Sequence, residues 1–478
     1  MRLWKKIAIG MGVSALALAG LFVVFVGPWP VYTSGFEGTG YYTRNLAAIE
    51  TNARLNHLTD TPGPLKAGWG VARMDLEPGM PLAGYGARHN IKEYLFGEKP
   101  KKTATGIHDD LHVKAIALSD GEDVVVIAGA DMLIVPPNIA EAVRKEVARK
   151  TPLTANNLYF GASHTHDGPG GFGEGLAAFF VGGLYNPKVP AMLTAAFTDA
   201  IVEAYNRLET ARMAHGHFDA PQYIRNRARK GPVDSRLSYL VVEKAGGRRC
   251  ILLNYSAHPT VVGSRFVEFT AEYPGFLQSA IEKAMPDTTV AYLGGALGSS
   301  GPVAPDRPTD IERAQAMGEE LAGLVMANLH DLKWQTNVDV ASIGIPIELP
   351  SFQMRLSHSL RVSPLLPKVL GLPIEGWMHA ARVGDLFLVG IPADFSGEIS
   401  AQWKRAADDA GYSLWTSSFC AAYIGYISPD KYYNEPKATS DYETGFMSWM
   451  GPHQEAFFTA LMKRMTEALG APPPKQAF

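Results

Sequence analysis

Cysteine and charge are both scarce in this 478-residue chain. Only two cysteines occur, Cys250 and Cys420, which is too few for a disulfide framework. Both lie in apolar runs typical of strands, so buried free thiols are expected rather than a bridge. Charged residues make up 19% of the chain, and the formal net charge is −3. A general nucleic-acid binder needs a basic face, so no nucleic-acid partner is expected.

The residues that are plentiful indicate a large globular domain with many turns, since 46% are hydrophobic and 48 are glycine. From about residue 66, apolar runs typical of buried strands alternate with helical patterns. Residues 123–130 (DVVVIAGA) predict a strand buried on both faces, and residues 137–150 have helical spacing with proline near the first turn. This alternation predicts an α/β fold with mixed β-sheet layers flanked by helices over residues 66–478.

The later part of the chain contains two regular apolar patterns and two irregular ones. The pattern predicts a long helix over residues 310–332 and a strand over residues 413–423. Two other segments, residues 174–185 and 351–377, are apolar without a strong period. They are interpreted either as core loops or as a rim that accepts lipid.

The longest apolar run lies at the N-terminus. A basic flank over residues 1–6 precedes an uncharged stretch over residues 7–27. Roughly 20 apolar residues can span a bilayer as a helix. The basic flank predicts a cytoplasmic N-terminus and an exported remainder, periplasmic or extracellular. A cleaved signal peptide is the alternative, but its apolar core is normally shorter and ends in a small-x-small site. An uncleaved transmembrane signal-anchor is therefore favoured, followed by a stalk or packing arm over residues 28–65.

Possible metal ligands stand at the ends of four predicted strands. They are His164 with its neighbour His166, then His258, Asp394 and Tyr426. Side chains at the carboxyl ends of strands in open α/β sheets collect at one edge, so these groups are expected to converge. Two imidazoles and a carboxylate are a ligand set typical of catalytic zinc. Each residue alone also has a structural explanation, such as Asp394 capping a helix. Spacing alone therefore indicates an exported metallohydrolase of unspecified substrate.

Residues 164–171 (HTHDGPGG) resemble the HTHSGPGG signature of the neutral/alkaline non-lysosomal ceramidase family, in its N-terminal catalytic domain. Further matches keep the family's order and occur at residues 106–108 (GIH), 226–227 (NR), 257–259 (AHP), 392–395 (PADF), 423–426 (YIGY), 442–443 (YE) and 451–453 (GPH). Ordered matches over about 68–455 are specific for the fold and less so for the substrate.

The resemblance implies a Zn²⁺-dependent amide hydrolase. The implied zinc ligands are His164, His258, Asp394 and Tyr426. The resemblance implies that Arg227 and Tyr442 hold the substrate carbonyl or the product carboxylate. It also implies that His108 and His166 line the same pocket, one of them as general acid. The implied reaction cleaves the amide of ceramide, or of a related N-acyl lipid, to a fatty acid and a sphingoid base or amine. The implied partners are this lipid substrate and the membrane.

The sequence departs from the family in its catalytic loop. The family reads Gly-Asp-x-Ser-Pro, whereas residues 298–302 read GSSGP. Gly301 takes the family's serine position, Ser299 its aspartate position, and Ser300 lies one position off. Either a nearby serine substitutes or the serine-dependent step is lost. This departure leaves two alternatives, namely a metallohydrolase of the same fold acting on another amide or ester, and a non-catalytic lipid-binding envelope protein.

Overall fold

The computed structural model describes residues 2–58, 61–370 and 375–473, and its largest element is an eight-stranded sheet, the large sheet. The strands of the large sheet lie in the order Thr288–Gly294, Arg249–Tyr255, Arg236–Lys244, Glu209–Asp219, Lys66–Arg73, His112–Ser119, Val124–Ala130 and Leu158–Ala162. The pair at each end of the sheet is parallel, and the pairs between them are antiparallel. The large sheet is therefore mixed.

Two glycines let the large sheet fold over itself, so that its first strand packs across its last two. A Cβ atom at Gly129 would lie 2.6 Å from the carbonyl oxygen of Tyr292. A Cβ at Gly161 would lie 2.5 Å from the side chain of Leu293. Glycine in a strand often marks such a close approach of another backbone. This fold brings the carboxyl ends of Leu158–Ala162 and Thr288–Gly294 to the same edge.

A four-stranded sheet, the small sheet, packs on the large one. Its strands lie in the order Val340–Ile347, Gly376–Val383, Leu386–Gly390 and Ser413–Ser417. Side chains from both sheets share one buried cluster, in which Ile127 and Leu252 of the large sheet accompany Ala381 and Leu388 of the small sheet. Beyond the small sheet, the two-residue strand Asp394–Phe395 runs parallel to Tyr426–Ile427.

Several helices cover the outer faces of these layers. The α-helices of the described residues span Arg2–Phe25, Gly40–Ala53, Ile91–Phe96, Pro137–Lys150, Leu176–Gly182, Lys188–Asn206, Glu272–Ala284, Asp310–Ala327, Leu366–Leu370, Gly397–Ala410 and Gln454–Ala468. Apolar side chains of these helices, such as Val143, Phe197 and Leu461, are fully buried against the sheets. The predicted α/β class with mixed sheet layers flanked by helices is confirmed.

Two predicted elements prove too long. The strand predicted over residues 413–423 ends at Ser417, since Phe419 and Ala421 adopt positive φ angles of 64° and 56° and turn the chain out of the sheet. The helix predicted over residues 310–332 ends at Ala327. By contrast, the helix Pro137–Lys150 has the predicted bounds, and both cysteines are buried free thiols.

The N-terminal helix Arg2–Phe25 stands clear of the sheets. Its Ile7–Phe25 portion has a mean hydropathy of 2.4 and is not buried, so it is long and apolar enough to cross a membrane. The following arm packs on the small sheet through the helix Gly40–Ala53, whose Ile49 is buried. Of the two apolar segments, the first contains the helix Leu176–Gly182. In the second, residues 371–374 lie outside the described residues.

Candidate functional site

Three histidine rings converge where the strands of the large sheet end. Nε2 of His166 lies 3.2 Å from Nε2 of His164 and 3.0 Å from Nε2 of His258. His164 follows the strand Leu158–Ala162, and His258 follows the strand Arg249–Tyr255. The predicted convergence of these strand ends is therefore observed, with His166 as a member of the cluster.

Backbone carbonyls orient two of the three rings. Nδ1 of His164 lies 2.6 Å from the carbonyl oxygen of Leu133, and Nδ1 of His258 lies 3.2 Å from that of Leu297. An Nδ1–H that donates to a carbonyl leaves the Nε2 lone pair free to bind a metal. His164 also holds a positive φ of 69° and stacks on Phe419 with ring centres 4.0 Å apart. These contacts fix the direction in which each Nε2 lone pair points.

Burial keeps the three imidazoles neutral. It lowers the pKa of His164 to about 3 and lowers the pKa values of His166 and His258 well below the usual range. The neighbouring imidazoles and the guanidinium of Arg227 act in the same direction. Neutral imidazole is the form that binds a metal. The described residues thus place three neutral ring nitrogens within 4.8 Å of one another, a group that can hold a metal ion.

Asp394 and Tyr426 form a second group beside the imidazoles. They are direct partners across two parallel strands, so their side chains project from adjacent positions. Oδ2 of Asp394 accepts a hydrogen bond from Tyr423 at 3.4 Å, whereas its buried Oδ1 has no partner among the described residues. Burial raises the pKa of Asp394 to about 6, and Arg227 opposes that shift. A buried carboxylate oxygen without a donor is costly unless a cation or water meets it.

Arg227 is hydrogen-bonded to the second group and acts on the imidazoles through its charge. Its Nε and one terminal nitrogen donate to the carbonyl oxygen of Gly298 at 3.2 and 3.0 Å. The same terminal nitrogen donates to the phenol oxygen of Tyr426 at 3.0 Å. The ring of Tyr442 lies 5.4 Å from that of Tyr426 and flanks the guanidinium. Predicted residues Arg227, Tyr426 and Tyr442 are thus brought together.

The donor set fits a zinc ion. Neutral imidazole nitrogens, a carboxylate and a phenol oxygen all belong to the ligand chemistry of divalent transition metals. The unpartnered Oδ1 of Asp394 and the crowded Nε2 atoms are both features that a cation would satisfy. The imidazole cluster contains His166 in addition to the predicted ligands His164 and His258. The ligand role predicted for Asp394 and Tyr426 stays a prediction.

The serines of the altered loop make structural hydrogen bonds. The Ser299 hydroxyl lies 3.2 Å from the Ser396 hydroxyl and accepts from the backbone N–H of Gly397 at 3.0 Å. The Ser300 hydroxyl is buried and donates to the carbonyl oxygen of Ala296 at 3.4 Å. Within the described residues, neither hydroxyl is hydrogen-bonded to an imidazole. A catalytic role for Ser299 or Ser300 stays a prediction.

His108 is placed differently from the other predicted site residues. It is exposed, and its ring packs edge-on against Phe266 and Phe276 with centres 6.0 and 6.1 Å apart. Among the residues that the structure describes, no hydrogen bond joins it to the three imidazoles. His166 is therefore better placed than His108 to act on a group bound beside Arg227.

An apolar cavity of about 600 Å³ opens beside the site. Its walls include Ile134, Phe172, Val181, Tyr423 and Trp449. Because Tyr423 also donates to Asp394, one wall of the cavity touches the predicted ligand Asp394 directly. Apolar walls with a few polar groups at one end are typical of small-molecule sites. The apolar segment 174–185 supplies part of this wall.

Arg88 is a supporting residue that the sequence did not reveal. Its fully buried guanidinium pairs with the equally buried carboxylate of Asp167. It also donates to the carbonyl oxygens of His166 at 2.5 Å and Ala83 at 3.0 Å. These bonds hold the backbone that carries two of the three imidazoles. Only the fold, which brings two positions 79 residues apart together, reveals this pair.

Replacing Arg88 by Met should destabilise the protein by about 3–5 kcal/mol, because Asp167 would remain buried without its partner. Urea unfolding of the full chain in detergent, followed by intrinsic fluorescence, measures this change. The matched control is Arg73→Met, which removes an exposed ion pair to Asp110 and should cost less than about 1 kcal/mol. Equal midpoints for the two variants would refute the supporting role of the buried pair.

Comparison with known proteins supports the resemblance seen in the motifs. The family model for "Neutral/alkaline non-lysosomal ceramidase, N-terminal" matches residues 91–240. A solved structure titled "Ceramidase complexed with C2" matches with a TM-score of 0.70 and 17% identity, over 88% of this chain and 77% of that one. The crystal structure of neutral ceramidase from Pseudomonas aeruginosa matches with a TM-score of 0.70 and 18% identity, over 88% of this chain and 76% of that one.

These matches confirm the predicted family resemblance and the fold. The sequence match covers one third of the chain, and the structural match extends over most of it. No curated protein sequence matches the chain. The chain therefore has the fold of the neutral ceramidases at low sequence identity.

Proposed function

We propose that this protein is a zinc-dependent hydrolase that cleaves the amide bond of ceramide, or of a related N-acyl lipid, to a fatty acid and a sphingoid base or amine. The observation that carries the proposal is the convergence of three neutral imidazoles beside a fixed guanidinium at the end of an apolar cavity. The match to the ceramidase family over residues 91–240 and the shared fold support the reaction class.

The residues that would hold zinc are His164, His258, Asp394 and Tyr426, with His166 within reach of the same point. Bound there, zinc would polarise the amide carbonyl and lower the pKa of a bound water to about 7. The resemblance places Asp394 where the family has the longer Glu, and its strand position directly beside Tyr426 supports a joint ligand role for the two side chains.

Arg227 would bind the substrate oxygen as negative charge develops. Its guanidinium is held by Gly298 and faces Tyr426, so it needs no rearrangement before it donates. Fixed donors aimed at developing charge are usually the largest single contribution to such catalysis. The same guanidinium, with Tyr442 beside it, would then hold the product carboxylate.

His166, neutral at rest, would take a proton from the attacking water and pass it to the leaving amine. Its Nδ1 atom is buried and has no hydrogen-bond partner among the described residues. Cleavage of an amide needs a proton on the departing nitrogen, and a positioned histidine is the commonest donor of that proton. The exposed position of His108 makes it the weaker candidate for this role.

The apolar cavity suits the hydrocarbon part of an N-acyl lipid. Phe172, Val181 and Trp449 line it, and Tyr423 separates it from Asp394. A chain bound along these walls would place its carbonyl end towards the imidazoles. This arrangement favours substrates with a long apolar acyl group over short, polar amides.

A membrane location is part of the proposal. The helix containing Ile7–Phe25 would act as an uncleaved signal-anchor, and the rest of the chain would lie on the exported side. The functional domain would comprise residues 66–478, joined to the anchor by the arm over residues 28–65. An anchored enzyme would remain close to its lipid substrate.

Gly301 favours a second candidate, a metallohydrolase of the same fold with another amide or an ester as substrate. At the family's serine position there is no side chain, and a Cβ atom there would lie 3.3 Å from Cβ of Arg227. The site therefore offers no hydroxyl at this point. A reaction that depends on that hydroxyl would be lost, whereas attack by a metal-activated water would not be.

A substrate panel tests these alternatives with the full-length protein in detergent. Ceramide, an N-acyl amino acid, an N-acyl ethanolamine and a fatty ester are each offered to the zinc-loaded protein, and released fatty acid is measured. We expect release from ceramide that a chelator abolishes and added zinc restores. Release only from another amide or the ester would support the second candidate. Binding of lipid without any release would indicate a non-catalytic lipid-binding protein.

A further inference from the structure

The C-terminal end of the N-terminal helix is hydrogen-bonded into the domain. The hydroxyl and backbone N–H of Ser363 donate to the carbonyl oxygens of Val24 at 2.5 Å and Val26 at 2.9 Å. The indole nitrogen of Trp29 donates to the carbonyl oxygen of Val23 at 2.7 Å. The last carbonyls of a helix have no partner within it, so these donors satisfy groups that would otherwise need water.

The chain that follows the helix is also bound to the domain, and these contacts together with those of Ser363 are called the joint. Residues Trp29–Pro30 pair with Leu360–Arg361 as antiparallel strands. The side chain of Arg361 donates back to the carbonyl oxygen of Pro30 at 2.9 Å. The side-chain amide of Gln353 accepts a hydrogen bond from the backbone N–H of Tyr32 and donates one to its carbonyl oxygen. The start of the predicted stalk is thus fixed to the domain, so the helix and the segment 351–370 have a defined relative position.

We propose that the surface formed by Leu356, Leu360 and Val369, the apolar shelf, lies in the interface of the bilayer that the helix crosses. The side chain of Leu356 is 55% exposed and that of Val369 is 61% exposed. Both belong to the segment that binds the end of the helix. Apolar side chains exposed next to a membrane span gain a partner when they enter the lipid interface.

The charges of this segment suit a lipid surface rather than a second protein surface of mixed charge. Residues 351–370 contain no aspartate or glutamate. The guanidinium groups of Arg355 and Arg361 are turned inward onto the carbonyl oxygens of Tyr433 and Phe352. Lys368 remains exposed, where it can meet anionic headgroups. The exposed side chains of the segment are thus the apolar shelf, Lys368 and the uncharged or weakly basic Ser351, His358 and Ser359. An apolar surface with polar and basic neighbours and no acidic group is expected of an interfacial segment.

The same segment reaches the cavity beside the candidate site. The backbone N–H of Gln353 donates to the carbonyl oxygen of Trp449 at 2.6 Å, and the ring of Phe352 lies 6.3 Å from that of Trp449. Trp449 lines the cavity. The joint therefore fixes the cavity wall relative to the bilayer. Delivery of lipid from the bilayer to this cavity rests on the proposed reaction, whereas the apolar shelf rests only on the proposed membrane location of the helix.

Site-specific fluorescence in lipid tests the apolar shelf. The variants Leu356→Cys and Val369→Cys of the full-length protein are labelled with an environment-sensitive fluorophore and placed in phosphatidylcholine vesicles with and without doxyl-labelled lipid. The native cysteines are buried, so labelling is directed to the new thiol. Val303→Cys is the matched control, since Val303 is apolar and 40% exposed but lies outside this segment. Val23→Cys reports on the span itself.

We expect the lipid-borne quencher to reduce the fluorescence at positions 356 and 369 at least twofold more than at position 303. Quenching at position 23 alone, with 356 and 369 behaving like 303, would overturn the proposal. Absence of quenching at position 23 would also overturn it, because the helix would then lie outside the bilayer. None of these outcomes depends on substrate turnover, so the position of the apolar shelf can be determined even if the protein does not hydrolyse N-acyl lipids.

Discussion

Replacing His164 by Ala should lower kcat/KM for the lipid substrate by more than about 100-fold. Loss of a group that merely orients a metal ligand typically costs about 10–100-fold, so loss of a ligand should cost more. His164 is one of three imidazoles whose Nε2 atoms meet, two of them buried and His166 partly buried, and its Nδ1 is held by Leu133. Fatty-acid release by the full-length protein in detergent, at saturating zinc, measures the effect.

The control for this variant removes a histidine elsewhere. His217 is exposed on the strand Glu209–Asp219, and His217→Ala should leave activity within about twofold of the parent, since surface substitutions away from a site have small effects. Thermal unfolding of both variants shows whether the fold is kept. Full activity of a folded His164→Ala protein would eliminate the imidazole cluster as the reaction centre.

Replacing Arg227 by Met should reduce kcat by about 100-fold to 1,000-fold, the usual cost of removing one fixed donor to a developing oxyanion. Met keeps much of the side-chain bulk but cannot donate to the substrate or to Tyr426. The expected pattern is a large loss in kcat with a smaller change in KM, because the contact strengthens as charge develops. Steady-state kinetics on the preferred N-acyl lipid separates the two parameters.

Arg225 provides a matched control two positions away, on the short strand Ile224–Asn226 that ends just before Arg227. Its side chain is exposed, so Arg225→Met changes charge and bulk equally without touching the site. We expect Arg225→Met to behave like the parent. An equal loss of kcat in both variants would show that charge near the strand matters rather than the donor itself, and would contradict the role assigned to Arg227.

Local patterns predicted those elements whose signals lie within one stretch of sequence. The helix Pro137–Lys150 combines proline in its first turn with apolar residues at helical spacing, and both signals are local. The strand predicted over residues 413–423 was wrong beyond Ser417 because an apolar run does not reveal the positive φ angles of Phe419 and Ala421. Those angles place Phe419 against His164, which is a tertiary contact.

The candidate site was predictable where motifs carried it. The strand-end positions of His164 and His258 indicated convergence, and the structure brings their ring centres to 4.5 Å. The support from Arg88 was not predictable, because no local pattern links it to Asp167. The orientation of Ser300 was equally hidden, since its sequence neighbours do not show that its hydroxyl turns towards Ala296.

Metal content tests the central claim most directly. The full-length protein and its His164→Ala/His258→Ala variant are purified in detergent, equilibrated with zinc, dialysed against metal-free buffer, and measured by elemental mass spectrometry. The proposed site predicts one zinc ion per chain in the parent and close to none in the variant, since two of the predicted ligands are gone. Equal zinc content in the two proteins, or a parent that retains no zinc, would contradict a zinc centre at these histidines.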